Sequence, residues 1–305
     1  MTFPILTDGF RLERLATPTD KVRMILDTDT YNEIDDQFAV VHALLSPEQL
    51  EVEAIYAAPF HNPRSSGPAD GMEKSYEEIL RLLNRLNVSP VGLVHRGSAG
   101  FLEEADHPLE SDAVRDLVDR AMASGDSPLY VAAVGAITNV ASAILLEPEI
   151  IKHIVVVWLA GQPLHWYTVR EFNLTQDPLA AKVILDSGVP LVQIPCQGVS
   201  SHLLTTVPEL EAFVQGRGKI GDYLVEIFKD YRKDHFAWAK QIWDISAIGY
   251  LINSDWVPSE LVPSPILTDQ LTWSVDRSRH LVRFATNLKR DPIFGDLFRK
   301  LQAAA

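Results

Sequence analysis

Six apolar runs without polar alternation constrain the fold of this chain more than any other feature. They occupy residues 22–26, 52–58, 90–94, 129–135, 153–161 and 189–195. A strand covered on both faces has no solvent side, so runs of this kind are typical of strands inside a parallel sheet. Segments with helical spacing lie between them, at 36–46, 72–87, 112–124, 138–147 and 178–187. The pattern predicts an α/β fold with a doubly wound, mainly parallel sheet flanked by helices.

The chain after Pro195 has a different pattern. Helical spacing at 207–215, 219–236 and 241–253 is followed by a late strand pair, 271–276 and 280–286, joined by a short polar turn. No long linker, low-complexity tract or internal repeat interrupts the 305 residues. We therefore expect a single domain over residues 1–305.

Composition and charge restrict the partners and the compartment. The net charge of −14 repels nucleic acid and anionic membranes, so we expect neither as a partner. No apolar segment approaches the roughly 20 residues that span a bilayer. Cys196 is the only cysteine, and the first residues lack the basic start and apolar core of a signal peptide. These features predict a cytoplasmic protein without disulfides.

An acidic cluster follows the first predicted strand. Asp27, Asp29, Glu33, Asp35 and Asp36 lie within ten residues, where open α/β sheets bind their ligands. A helix cap could account for Asp35 or Asp36, but not also for Asp27 and Asp29. Adjacent buried carboxylates either hold protons at a raised pKa or share a cation. Oxygen donors with no nearby Cys or paired His favour Ca²⁺ or Mg²⁺ over Zn²⁺.

Two other acidic motifs fit the cluster less well. An EF-hand loop starting at Asp27 would need Gly and Glu where this chain has Asn32 and Phe38. The Asp-x-Asp start of haloacid-dehalogenase-type phosphatases is matched by Asp27 and Asp29, but Tyr31 replaces the usual Thr or Val. A Mg²⁺-dependent phosphohydrolase of that type stays open as an alternative.

A more extensive resemblance covers most of the chain. The segment "ILDTDTYNEIDDQFAVVHAL" (25–44) resembles the N-terminal signature of the inosine–uridine-preferring nucleoside hydrolases, with a loop two residues longer. Further segments are similar to later motifs of that family, in the same order. They are "YVAAVGAITNVASAI" (130–144), "VVVWLAG" (155–161), "REFNLTQDPLAAKVIL" (170–185) and "WDISAIGYL" (243–251).

The resemblance implies an enzyme that hydrolyses the N-glycosidic bond of ribonucleosides to ribose and free base, working as a homodimer or homotetramer. It implies a Ca²⁺ ion that holds the attacking water, with Asp29 as both ligand and general base. The other implied metal ligands are Asp36, Asp244 and the backbone carbonyl of Thr138. The implied substrate-binding residues are Asp35, Asn62, Leu159, His165, Glu171, Asn173 and Trp243, with Asp27 supporting the site from behind.

The departures from the family pattern concern the leaving base. Trp243 stands where many relatives carry a His that could protonate it, and the familiar His-Gly segment after the third strand is missing, with only His107 nearby. An aromatic helix over 230–244 is predicted either to line the base pocket or to pack into the core. Asn32 and Glu33, in the longer loop, are further candidates for substrate contact. A family member that binds ribosides without turnover is the second alternative.

Overall fold

In the computed structural model, which describes residues 2–305, strands and helices alternate along most of the chain. The strands are β1 (Val22–Thr28), β2 (Leu50–Ala57), β3 (Val94–Arg96), β4 (Leu129–Ala133), β5 (Ile154–Leu159), β6 (Leu191–Ile194), β7 (Leu204–Thr205), β8 (Lys240–Gln241), β9 (Ser259–Pro263), β10 (Ile266–Leu267), β11 (Trp273–Ser274) and β12 (Leu281–Ala285). The α-helices are α1 (Asp8–Arg14), α2 (Asp36–Leu44), α3 (Pro68–Leu86), α4 (Asp112–Met122), α5 (Thr138–Leu146), α6 (Phe172–Gln176), α7 (Pro178–Ser187), α8 (Val207–Phe213), α9 (Gly218–Asp230), α10 (Ile245–Ile252) and α11 (Arg290–Ala303). Short 3₁₀ helices span Pro148–Lys152, Ser200–His202 and Ser254–Trp256.

Eight of the strands form one sheet in the order β3-β2-β1-β4-β5-β6-β12-β9. All neighbouring pairs in it are parallel except β12 with β9, which forms an antiparallel edge. The chain winds outward from β1 in one direction and from β4 in the other. The point where the strand order reverses therefore lies between β1 and β4, which is where open α/β sheets leave a crevice for ligands. The predicted fold class is confirmed.

The two faces of the sheet pack into separate hydrophobic layers. Met24 and Leu26 of β1 belong to one cluster of buried side chains, whereas Ile25 between them belongs to the other. The same alternation separates Tyr130 from Val131 in β4. Because both faces are covered by apolar groups, neither selects for polar residues, which explains the unbroken apolar runs in the sequence. Among residues 2–305, no helix has the length and apolar character needed to cross a membrane.

The predicted late strand pair is wrong. Strand β12 pairs with β9 on one side and with β6 on the other, so it completes the main sheet. Strand β11 pairs instead with β10 in a small separate hairpin. Val282 and Phe284 of β12 are almost fully buried in the main sheet, and the burial of these side chains outweighs a local hairpin.

The third strand and the aromatic helix also differ from the predictions. The turn at Pro90–Leu93, in which Gly92 has φ +72°, delays the third strand to Val94–Arg96. Helix α9 ends at Asp230, and residues 231–239 are not helical, so the helix predicted over 230–244 is wrong. Ala237 has φ +51°, a left-handed conformation that a right-handed helix cannot contain.

Asn139, near the start of α5, connects the strand ends around the crevice. Its Nδ2 donates to Oδ1 of Asp27 at 2.7 Å, and its Oδ1 accepts from the backbone N–H of Ser98 at 2.7 Å. Gly97 permits this close approach, because a Cβ there would lie 2.1 Å from the carbonyl oxygen of Ala57 and 2.5 Å from Nδ2 of Asn139. The ends of β1, β2 and β3 are thus held together by one side chain.

Gly97→Ala is expected to destabilise the fold, because the added methyl group collides with backbone that cannot move independently. The expected loss is about 1–3 kcal/mol of unfolding free energy, measured by urea denaturation. Gly9→Ala is the matched control, since a Cβ at that helical position meets nothing within 4 Å. An unfolding midpoint for Gly97→Ala at the same urea concentration as for the wild-type protein would contradict the expectation.

Candidate active site at the sheet crevice

A cavity of about 380 Å³ opens beyond the carboxyl ends of the central strands. It is lined by most of the residues that the sequence motifs indicate: Asp35, Asp36, Asn62, Leu159, Glu171, Asn173, Trp243 and Asp244. These residues lie up to two hundred positions apart along the chain. The parallel sheet brings them together because its strands all deliver their following loops to the same edge.

Three carboxylates form the floor of the cavity. One oxygen each from Asp35, Asp36 and Asp244 lies within 4.8 Å of the others, and all three side chains are buried. Asp35 and Asp244 occupy the N-cap positions of α2 and α10, but neither side chain makes a capping hydrogen bond. Oδ2 of Asp35 accepts instead from the backbone N–H of Trp243 at 3.2 Å. The positive ends of the two helix dipoles partly offset the charge of both acids. This group of acids is a possible metal site.

Asp29 lies beside the three acids but outside that 4.8 Å group, and it is not among the residues that line the cavity. Both of its carboxylate oxygens are buried without a hydrogen-bond partner among residues 2–305. Glycine at position 135 leaves room for this carboxylate, because an added Cβ there would lie 3.0 Å from Cγ of Asp29. A buried, unpartnered carboxylate is expensive unless a proton or a cation compensates it. The donor set of crowded oxygens fits a hard divalent cation.

Burial and mutual repulsion shift the titration of the cluster. Burial, and then the charges of Asp36 and Asp35, raise the pKa of Asp29 well above its ordinary value. Burial and the charge of Asp35 raise the pKa of Asp36 to about 7. The pKa of Asp244 is also raised well above normal, by burial and then by Asp35 and Asp36. Without a cation, therefore, the folded protein holds protons in this cluster near neutral pH.

Glu171 and Asn173 form a rigid side of the cavity. Glu171 caps α6 by accepting from the backbone N–H groups of Asn173 at 2.8 Å and Leu174 at 3.1 Å, and it accepts from Gly161 at 2.9 Å. Asn173 donates both amide hydrogens, to the carbonyl oxygens of Val134 at 2.9 Å and Leu159 at 3.0 Å. Its side-chain oxygen is consequently the group left for a ligand.

Asn62 lies opposite, on the loop that follows β2. Its Nδ2 donates to Oδ1 of Asn32 at 2.7 Å, and its Oδ1 accepts from the backbone N–H of Arg64 at 2.8 Å. Asn32 belongs to the longer loop after β1 and also lines the cavity. The loops after the neighbouring strands β1 and β2 therefore form one wall of the cavity together.

Several predicted residues lie outside the cavity lining. The hydroxyl of Thr138 donates to Oδ2 of Asp177 at 2.7 Å. Asp27 lies behind the cavity against Asn139, and burial raises its pKa to about 7. His165 is exposed. The roles predicted for these three residues stay predictions, as do those of the residues that line the cavity.

Asp177 and the aromatic segment have structural roles. Asp177 caps α7 by accepting from the backbone N–H of Ala180 at 2.9 Å. Trp238 stacks with His235, with ring centres 5.6 Å apart, and packs on Phe228. None of these residues lines the cavity; of the aromatic segment only Trp243 does.

The motif comparison missed part of the cavity lining. The additional residues are Val134, Gln162, Arg170, Phe172, Cys196 and Gln197. Several follow strands β5 and β6 directly, and this position was the available signal in the sequence. Burial raises the pKa of the Cys196 thiol well above its usual range, and the charge of Glu171 adds to the shift. Cys196 therefore remains a neutral thiol rather than a nucleophilic thiolate.

A family model and several known proteins match the sequence of this chain. The family model described as inosine-uridine preferring nucleoside hydrolase matches residues 24–292. The chain belongs to this family. Its relatives include the pyrimidine-specific ribonucleoside hydrolase RihA of Klebsiella pneumoniae (strain 342), 28% identical over 239 residues that cover 69% of this chain and 72% of the relative. RihA of Salmonella typhimurium is 28% identical over 238 residues, with the same coverage.

Solved structures of nucleoside hydrolases share the fold. The purine-preferring ribonucleoside hydrolase from Gardnerella vaginalis superposes with a TM-score of 0.75 at 19% identity, covering 92% of this chain and 98% of that one. An inosine-guanosine nucleoside hydrolase superposes with a TM-score of 0.73 at 18% identity and the same coverage. The predicted family and the enzyme class, an N-glycosidic hydrolase, are confirmed.

The acidic cluster predicts an unusual pH dependence for this nucleoside hydrolase when no cation is bound. A carboxyl group whose pKa is about 7 in the fold and about 3.9 in the unfolded chain binds its proton more tightly in the fold. Its contribution to stability is therefore present at low pH and is lost as pH rises through about 7. In chelator, the unfolding free energy should fall by at least about 1 kcal/mol between about pH 6 and about pH 8.

Urea denaturation at the two pH values measures this change. Asp36→Asn removes one of the titrating groups and should flatten the dependence. Equal or greater stability of the wild-type protein at the higher pH would contradict the expectation.

Proposed function

We propose that this protein hydrolyses the N-glycosidic bond of ribonucleosides to ribose and free base, with Asp29 as general base for a water held by Ca²⁺. The observation that carries the proposal is the buried Asp29 carboxylate. Neither of its oxygens has a hydrogen-bond partner among residues 2–305, and it lies beside three further buried acids that line a cavity of about 380 Å³. That volume is within the range of about 300–1,000 Å³ usual for small-molecule sites.

Asp29, Asp36, Asp244 and the backbone carbonyl of Thr138 would hold the cation. When bound, such an ion lowers the pKa of a coordinated water and thus supplies a nucleophile at neutral pH. Ca²⁺ is proposed over Mg²⁺ because it accepts several carboxylates in irregular geometry, whereas Mg²⁺ prefers to keep its own waters. The ion would also offset the repulsion that raises the pKa values of these acids.

The protein's own groups would carry the proton transfer and orient the sugar. Asp29 is free to accept a proton from the water because no hydrogen bond from residues 2–305 competes for its oxygens. Asp35 accepts from the backbone N–H of Trp243 through Oδ2 at 3.2 Å, which leaves Oδ1 for a ribose hydroxyl. Glu171 and Asn173 would bind further hydroxyls. Positive charge that develops on the ribose ring would be stabilised by the surrounding carboxylates.

The base would lie against Trp243, with Leu159 lining the cavity near the sugar. An indole ring stacks well on a nucleobase but has no proton of suitable acidity to give it. Stacking would therefore bind the base, and its protonation would need another donor, such as solvent. By resemblance to the family we also propose a cytoplasmic homodimer or homotetramer.

One observation favours the second candidate, a riboside-binding protein without turnover. No histidine is among the described residues that line the cavity, so no imidazole stands ready to protonate a leaving base. The phosphohydrolase alternative has no such support. Its nucleophile would be Asp27, whose Oδ1 already accepts a hydrogen bond from Nδ2 of Asn139.

The test of the proposed function is ribose release from a panel of purine and pyrimidine ribonucleosides, measured by a reducing-sugar assay. We expect release from at least one nucleoside, its loss in chelator, and its recovery on adding Ca²⁺. Tight nucleoside binding by calorimetry without release from any member of the panel would favour the binding protein instead.

Asp29→Asn is expected to lower kcat by about 10²–10⁴-fold, the range usual for loss of a general base. Steady-state kinetics on the best nucleoside of the panel measures the change. Asp269→Asn, at an exposed acid, is the control and should retain wild-type kinetics. Since Asp29→Asn removes a charge from a repulsive cluster, its melting temperature in chelator should not fall. Activity of Asp29→Asn within a few-fold of wild type would rule out the assigned role.

A further inference from the structure

Lys240 is a buried cation at the edge of the acidic cavity. It is 5% exposed, and its Nζ donates to Oε2 of Glu33 at 2.5 Å. The same ammonium group lies 4.6 Å from the ring centre of Tyr231. A buried ammonium group is stable only when it is paired, so this contact fixes the positions of both Lys240 and Glu33.

The carboxylate of Glu33 is held in place by hydrogen bonds from the protein. Its Oε1 accepts from the hydroxyl of Tyr231 at 3.2 Å, while Oε2 accepts from Lys240. Its backbone carbonyl accepts from Nη1 of Arg64 at 2.9 Å. Although Glu33 lines the cavity, both carboxylate oxygens are engaged by the protein. Its negative charge is therefore compensated before any ligand arrives.

The loop that contains Glu33 connects Asp29, just after β1, with Asp35 and Asp36 at the start of α2. At its start, the backbone N–H of Asn32 donates to the carbonyl oxygen of Asp29 at 2.7 Å. In its middle, Asn32 pairs with Asn62. At its end, the chain enters α2 through Asp35. Any displacement of Glu33 would move the Asn32–Asn62 wall.

Lys240 stays charged in this setting. Burial alone would lower its pKa, but the charges of Asp35 and Glu33 outweigh burial and raise it. Segment 231–239 has no regular secondary structure to hold it in place, and β8, which carries Lys240, is only two residues long. The ion pair is thus a principal connection between this segment and the loop after β1.

We propose that Lys240 is a positioning residue for the proposed nucleoside hydrolysis: through Glu33 it holds the loop 30–34 so that Asn32 and Asn62 form a preorganised wall against the nucleoside. The inference rests on the proposed function for its kinetic consequence, but not for its structural one. A wall that must be ordered at each binding event weakens binding without altering the chemical step.

The test compares Lys240→Met, Lys240→Arg and a control, Lys182→Met. Lys182 pairs with Asp269 at the same 2.5 Å but on the exposed surface. Lys240→Met should raise KM by about tenfold or more, with kcat changed by less than about threefold. Lys240→Arg keeps the charge and should recover most of the loss, and Lys182→Met should match wild type.

Hydrogen–deuterium exchange supplies a readout that does not depend on activity. In Lys240→Met, amides of residues 30–36 should exchange faster, while those of the central strands are unchanged. Unchanged exchange in the loop, or a fall in kcat with unaltered KM, would overturn the positioning role. If wild type releases no ribose but loop exchange still rises in Lys240→Met, the proposed function fails and the structural role of Lys240 stands.

Discussion

Repulsion among buried carboxylates is the constraint on which the rest of this structure depends. Asp29, Asp35, Asp36 and Asp244 lie together at the end of the sheet, where burial limits the screening of their charges by water. Such a cluster is tolerated only if dipoles, protons or a cation offset its charge. The N-termini of α2 and α10 supply the dipoles. A bound cation or protons must offset most of the remaining negative charge.

The sheet and the loops supply the rigidity that the cluster requires. Asn139 holds Asp27 and the loop after β3, and Gly135 leaves room for the Asp29 carboxylate. Glu171 and Asn173 are fixed by backbone hydrogen bonds on one side of the cavity. On the other side, the ion pair of Glu33 with Lys240 holds the longer loop.

Sequence motifs located the site better than local patterns located the late strands. Asp35, Glu171 and Asp244 line the cavity as expected, because motif residues are set by chemistry that does not depend on distant context. The late strand pair and the aromatic helix were wrong, because each was inferred from short-range periodicity. In β12 the choice of partner was made by burial against β6, which local sequence does not encode.

By itself, the sequence determined the α/β class and indicated which acidic residues belong to the site. Apolar runs and motif residues are local properties that can be read without the structure. Only the tertiary structure decided how the acids divide. It grouped Asp35 with Asp36 and Asp244, left Asp29 without a hydrogen-bond partner in the described part of the chain, and placed Lys240 against Glu33. The reason is physical: distances, burial and charge compensation between residues two hundred positions apart exist only once the sheet has formed.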